Sequence, residues 1–256
     1  MYFSALIGSI SCLISVAAWS AQALDGESSP SRFSEAIAEC KTAQAAQPNR
    51  GMLLETKSAV CFAGRITGLA EQVIVKKLDG KNKIFVVNSF GGDAAAAAII
   101  GVFILENRID VAAYDYCLSA CANYIFLAGH RKYLAPSTIL AWHGAPEAEP
   151  TPRQKLLDGI GRLQQGYQMS QLFYRMAKID RRVATQPDPR LPHFEEWKSG
   201  WDSSRRHLWT WTRQSLERRF GVQGIEAYWY PDDPQELIAL GEKYDIKLLV
   251  DRDEPR

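Results

Sequence analysis

Three short stretches carry residue types that could act on a carbonyl group: NSFGGD (88–93), CLSAC (117–121) and ILAWHG (139–144). Ser119 offers a hydroxyl nucleophile and His143 an imidazole base. A serine nucleophile needs a base within hydrogen-bond reach and N–H donors for the oxyanion of its tetrahedral intermediate. Gly91 and Gly92 let a substrate carbonyl come close to backbone N–H groups. A serine that opens a helix gains a further N–H and a favourable dipole. Each feature also has a plain reading. The glycines could be a turn, Ser119 a helix cap, and His143 a residue packed beside Trp142. Their order, with His143 following Ser119 by 24 residues, favours a joint role.

The surrounding pattern supplies elements to hold them. SAVCFAG (58–64), KIFVVNS (83–89), IDVAAY (109–114) and STILAWHG (137–144) read as strands, with helices expected over 69–78, 93–108 and 119–129. Such β-α alternation predicts an α/β fold with mainly parallel strands, and all three chemical stretches fall at strand ends or helix starts, where α/β domains place their sites. A helix is expected over 32–47, and the second half reads as helical. It contains a long segment over 153–179, a basic aromatic helix over 203–220, a strand at 226–230, a helix at 234–244 and a strand at 246–250. Organisation follows as an N-terminal leader (1–23), a linker and helix (24–57), and one domain (58–256). That domain has a core at 58–145, a helical extension at 146–225 and a closing strand and helix at 226–250.

A formal net charge of +1 gives no global electrostatic case for nucleic acid or an acidic membrane surface. The first 23 residues contain no Asp, Glu, Lys or Arg and end in Ala21-Gln22-Ala23, which predicts a cleaved export signal and a periplasmic or secreted protein. The alternative is a membrane anchor formed by residues 3–23. Loss of Cys12 with the leader leaves Cys40, Cys61, Cys117 and Cys121, an even number for an oxidising compartment. Of three connectivities, sequence proximity favours Cys40–Cys61 with Cys117–Cys121; buried free thiols remain the alternative for the second pair. The spacings do not form paired CxxC knuckles, so no metal is expected.

The run CFAGRI (61–66), VVNSFGGD (86–93), CLSAC, FLAGHRKYLAPST (126–138) and AWHG (141–144) resembles the Clp protease proteolytic subunit and the wider crotonase-like superfamily. The resemblance implies a crotonase-like ββα spiral core with a helical C-terminal extension. It further implies Ser119 as nucleophile, His143 as general base, Gly92 and Ala120 as oxyanion donors, and Gly91 as shaper of the approach. The substrate would be an extended peptide or protein chain; no cofactor is implied. Outside the cytoplasm no ATPase partner is expected, and rings in that superfamily make a homo-oligomer compatible with the resemblance. The chain departs from the pattern at the acidic third member. Ala227 takes the equivalent position with Glu226 beside it, and Asp180, Asp188 and Asp202 are other carboxylates.

Other chemistries fit less well. NSFGGDAAAAA lacks the third glycine of a dinucleotide turn and the Lys-Ser/Thr of a P-loop, and CLSAC is not GxSxG. A Ser–Lys pair using Lys132, Lys155 or Lys198 would leave His143 idle. The remaining rival is a catalytically silent, exported binding protein of the same fold.

Overall fold

A computed structural model describes residues 29–47, 53–80, 83–146, 148–158, 161–199 and 206–252; the leader, Cys12 and Asp202 lie outside them. Strands β1 (Leu53–Glu55), β2 (Ala59–Ala63), β3 (Ile84–Ser89), β4 (Val111–Leu118), β5 (Lys132–Leu134), β6 (Ile139–Ala141) and β8 (Ile225–Tyr228) form one sheet in the order β1-β2-β3-β4-β5-β8, with β6 also paired to β4. Every pairing is parallel except β1 with β2. A two-stranded parallel sheet, β7 (Arg206–Trp209) with β9 (Ile246–Leu249), joins it through a bridge between Trp142 and Trp209. The chain is therefore an α/β protein with a mostly parallel mixed sheet.

The central strands β2 (AVCFA) and β3 (IFVVNS) run apolar through most of their length because both sheet faces are covered there. Alternate side chains separate into two cores. Ala59, Cys61, Ile84, Val86, Ala112 and Tyr114 pack under α1 (Ser29–Ala46) with Phe33, Ala36, Ile37 and Cys40. Their neighbours Val60, Phe62, Phe85, Val87, Val111 and Ala113 face α2 (Gly68–Leu78), α3 (Ala94–Glu106) and α5 (Arg162–Ala177). The Cys40–Cys61 disulfide, with Cα atoms 5.5 Å apart, ties α1 to β2. The alanine run of α3 is buried at Ala95–Ala98. Its small side chains permit close helix contact, and a Cβ at Gly101 would meet the Phe173 ring at 3.0 Å.

Differences from the sequence reading have local causes. The expected helix over 203–220 is strand β7 followed by α8 (Arg213–Phe220), which Thr212 caps by accepting the Ser215 N–H. Trp209 and Trp211 are packed inside, both donating their indole N–H to the Val183 carbonyl. The segment over 153–179 divides into α4 (Pro152–Leu157) and α5, with Gly161 left-handed at the start of the second. Strands β1 and β5 are only three residues long and carry no period a sequence could display. Two short helices, α6 (Arg182–Thr185) and α7 (Phe194–Ser199), and α9 (Pro234–Glu242) complete the second half. Among the described residues no helix is long and apolar enough to cross a membrane.

Candidate active site

β3 ends at Ser89, and the chain turns through Phe90, Gly91 and Gly92 into α3. Ser89 organises that turn: its buried hydroxyl donates to the Gly64 carbonyl (2.6 Å) and accepts the Gly91 N–H (3.0 Å). Gly91 (φ +85°) must be glycine, because a Cβ there would lie 2.6 Å from the Leu118 carbonyl oxygen and 2.9 Å from the Ser119 Cβ. Gly92 (φ +149°) is bridged to Ile66, with bonds from the Ile66 N–H to the Gly91 carbonyl and from the Asp93 N–H to the Ile66 carbonyl holding the bridge. Asp93 is consumed as the α3 cap. It accepts the Ala96 N–H and is clamped by Arg162 at 2.7 Å, so its carboxyl sits below the usual range although desolvation opposes that shift.

β4 delivers Ser119 to the same place. The residue lies between Leu118 and a helical turn whose middle, Cys121–Phe126, is π-helical. Ser119 has φ +57°, a left-handed conformation in which a non-glycine residue is strained. Its backbone is held at both ends, its N–H by the Ala141 carbonyl (2.9 Å) and its carbonyl by the Asn123 N–H (2.8 Å). The cap position of that helix is Ala120 and no side chain caps it, which removes the plain helix-cap reading of Ser119. The Cys117–Cys121 disulfide spans the turn, with both sulfurs buried and Cα atoms 5.2 Å apart.

His143 follows β6 and shares a pocket of about 420 Å³ with Ser119, Gly91, Gly92, Phe90, Arg65 and Arg206. Asn123, missed in the sequence reading, donates its side-chain N–H to the Gly144 carbonyl (2.9 Å) and so ties the His143 loop to the helix opened by Ser119. Its place one turn after Ser119 was the available signal. Among the described residues the Ser119 hydroxyl makes no hydrogen bond and none joins it to the His143 ring, so the two face one pocket without being joined. Such geometry tightens on substrate binding in many enzymes. The N–H groups of Gly92 and Ala120 likewise have no acceptor among the described residues.

His143 is exposed by surface area, yet the crowded pocket wall displaces enough water to lower its pKa below the usual imidazole value. Desolvation is the first cause and the Arg206 cation pushes the same way, against a backbone hydrogen bond. Arg206 falls within the basic aromatic helix expected over 203–220. Strand β7 instead brings it to the pocket, with its guanidinium 4.8 Å from the Phe90 ring centre.

The structure does not bring Glu226 to His143. It sits on β8 near Arg131, beside the strand residues paired to the start of β4, while Ser119 follows that strand's end. Asp180 is paired with Arg182, and Asp188 with Arg190 and Arg219. Lys132 is buried, donates to the Gly129 and Gln223 carbonyls, and is pushed down to about 8 by desolvation, away from Ser119. Lys155 pairs with Glu149, and Lys198 lies over Phe194. Among the described residues no three His, Cys, Asp or Glu side chains gather as a metal site. No protein-family model matches the chain, and neither does any curated protein.

Proposed function

We propose that the chain is an exported, ATP-independent serine hydrolase that cleaves extended polypeptides, with a crotonase-like core resembling the Clp protease proteolytic subunit. One observation carries the reading: Ser119 is held in a strained left-handed turn with its hydroxyl unengaged, in the pocket that also contains His143. Ser119 Oγ attacks the scissile carbonyl carbon and passes its proton to His143. The N–H groups of Gly92 and Ala120 take the oxyanion, the imidazolium protonates the departing amine, and water then releases the acyl group by the reverse sequence. The Cys117–Cys121 disulfide braces the turn, and its oxidised state fits an exported protein.

A second reading is supported by Arg206: a cation that disfavours the imidazolium, in a pocket lined by no carboxylate among the described residues, suits a catalytically silent binding protein. Treatment of the full chain with a fluorophosphonate separates the two. Labelling that disappears in both Ser119→Ala and His143→Ala is expected for the hydrolase. Wild-type labelling no greater than that of Ser119→Ala, from mildly acidic to mildly alkaline pH, would establish the silent protein.

A further inference from the structure

The candidate pocket has charged walls of one sign. Its charged lining residues are Arg65 and Arg206, and no carboxylate lines it among the described residues. Both arginines are exposed, and among the described residues neither is paired with an acid. They approach from different elements. Arg65 precedes Ile66, the residue bridged to Gly92, and so stands at the edge where an extended chain would lie along the glycines. Arg206 opens β7 and is held over the Phe90 ring, which is itself stacked on Tyr116 with ring centres 3.9 Å apart. Reciprocal backbone bonds between Trp142 and Trp209 (2.9 and 2.8 Å) fix β7 against the strand leading to His143. Elsewhere in the described chain, arginines close to carboxylates are consumed by them, as Arg131 is by Asp110 and Arg162 by Asp93. At the pocket two guanidiniums keep their donors available among the described residues, and a guanidinium matches a carboxylate in shape as well as charge.

From this we infer that the pocket selects carboxylate-bearing peptides, with Arg65 and Arg206 as the specificity-determining residues on either side of Ser119. The inference deepens the proposed hydrolase reading and rests on it for the position of the scissile bond, but the selection itself is a binding property. The carboxylate could be a Glu or Asp side chain or a free C-terminus, so the probes separate these sources.

The test uses the full oxidised chain carrying Ser119→Ala, which cannot turn substrate over, and measures fluorescence anisotropy with labelled octapeptides. The peptides are identical except for Glu or Gln at one central position, and each is made with a free or an amidated C-terminus. At least one carboxylate-bearing peptide is expected to bind about tenfold more tightly than the neutral amide, which corresponds to about 1.4 kcal/mol. The advantage should shrink with added salt. It should fall severalfold in Arg65→Gln and in Arg206→Gln, vanish in the double variant, and survive in Arg206→Lys. A central Glu effect identifies a side-chain site, and an effect of amidation alone identifies a C-terminal site. Equal binding of all four peptides, or no binding of any, overturns the inference, as does a preference unchanged in the double variant. Fluorophosphonate labelling of the unmutated chain is scored separately. Absent labelling with intact acidic preference removes the hydrolase and leaves the selection standing, whereas labelling without preference does the reverse.

Discussion

Replacing Ser119 by glycine and by alanine distinguishes a residue kept for chemistry from one kept for folding. At φ +57° an L-residue pays roughly 1–2 kcal/mol relative to right-handed backbone. Glycine relieves that strain but adds about 0.5–1 kcal/mol of unfolded-chain entropy. Since the Ser119 hydroxyl bonds nothing among the described residues, no hydrogen bond is lost. Ser119→Gly should therefore stabilise the protein by about 0.5–1 kcal/mol, raising the midpoint of thermal unfolding by about 1–4 °C for a chain of this size. Ser119→Ala retains the Cβ and the strain, and should change stability by less than about 0.5 kcal/mol. Both should lose fluorophosphonate labelling entirely. Urea and thermal unfolding under oxidising conditions give the stabilities. A loss above about 1 kcal/mol in Ser119→Ala is the cost of removing a capping serine, and would refute the conclusion that the hydroxyl is free for chemistry. A destabilised Ser119→Gly would remove the strain from the account.

Three further outcomes follow from the geometry. Arg206→Gln removes a cation that lowers the His143 pKa, so that pKa should rise towards the ordinary imidazole value near 6.5. The base acts when neutral, so the acid limb of the labelling rate should move to higher pH; an unmoved or acid-shifted limb would discount Arg206. Replacing Cys40 and Cys61 together by alanine should cost about 3 kcal/mol in urea unfolding, the entropy of a loop closed across 21 residues. Equal stability of the reduced and oxidised wild-type chain would show that this closure contributes nothing. Gly92→Ala would place a Cβ 2.1 Å from the Ile66 carbonyl oxygen and should cost at least about 2 kcal/mol in unfolding free energy or prevent folding. Gly68→Ala, whose nearest atom would be 3.6 Å away, should leave a normal melt.

What the sequence made legible was the part held by local pattern. NSFGG, CLSAC and AWHG each lie at the end of a strand that reads as one, so the meeting of Ser119, the glycines and His143 could be expected from β-α alternation. The disulfide pairs were also favoured by their proximity. Less legible were features made by distant contact. In HLWTW every residue is buried, so no polar-apolar alternation marked the strand, and the arginines and the capped helix around it gave the stretch a helical look. The misassigned helix hid Arg206, whose role depends on β7 returning to Trp142. Glu226 illustrates the opposite limit. Its position after the helical half suggested a triad acid, but the register of β8 against β5 sets it near Arg131, and nothing in four residues of sequence encodes that register.

Arg206 also decides how acidic substrates should behave if they are turned over. Serine attack transfers a proton to His143, so the transition state places an imidazolium beside a guanidinium. Each pKa unit by which that cation disfavours the imidazolium costs about 1.4 kcal/mol, a tenfold loss in rate. A substrate carboxylate paired with Arg206 cancels the unfavourable field as the proton moves. Its benefit is then larger in the transition state than in the bound ground state and must enter kcat as well as KM. A Glu peptide should exceed its Gln counterpart in kcat by about threefold to tenfold. In Arg206→Gln that difference should close because the Gln peptide becomes faster, even as the Glu peptide binds less tightly. A carboxylate effect confined to KM would make Arg206 an anchor for the substrate and nothing more.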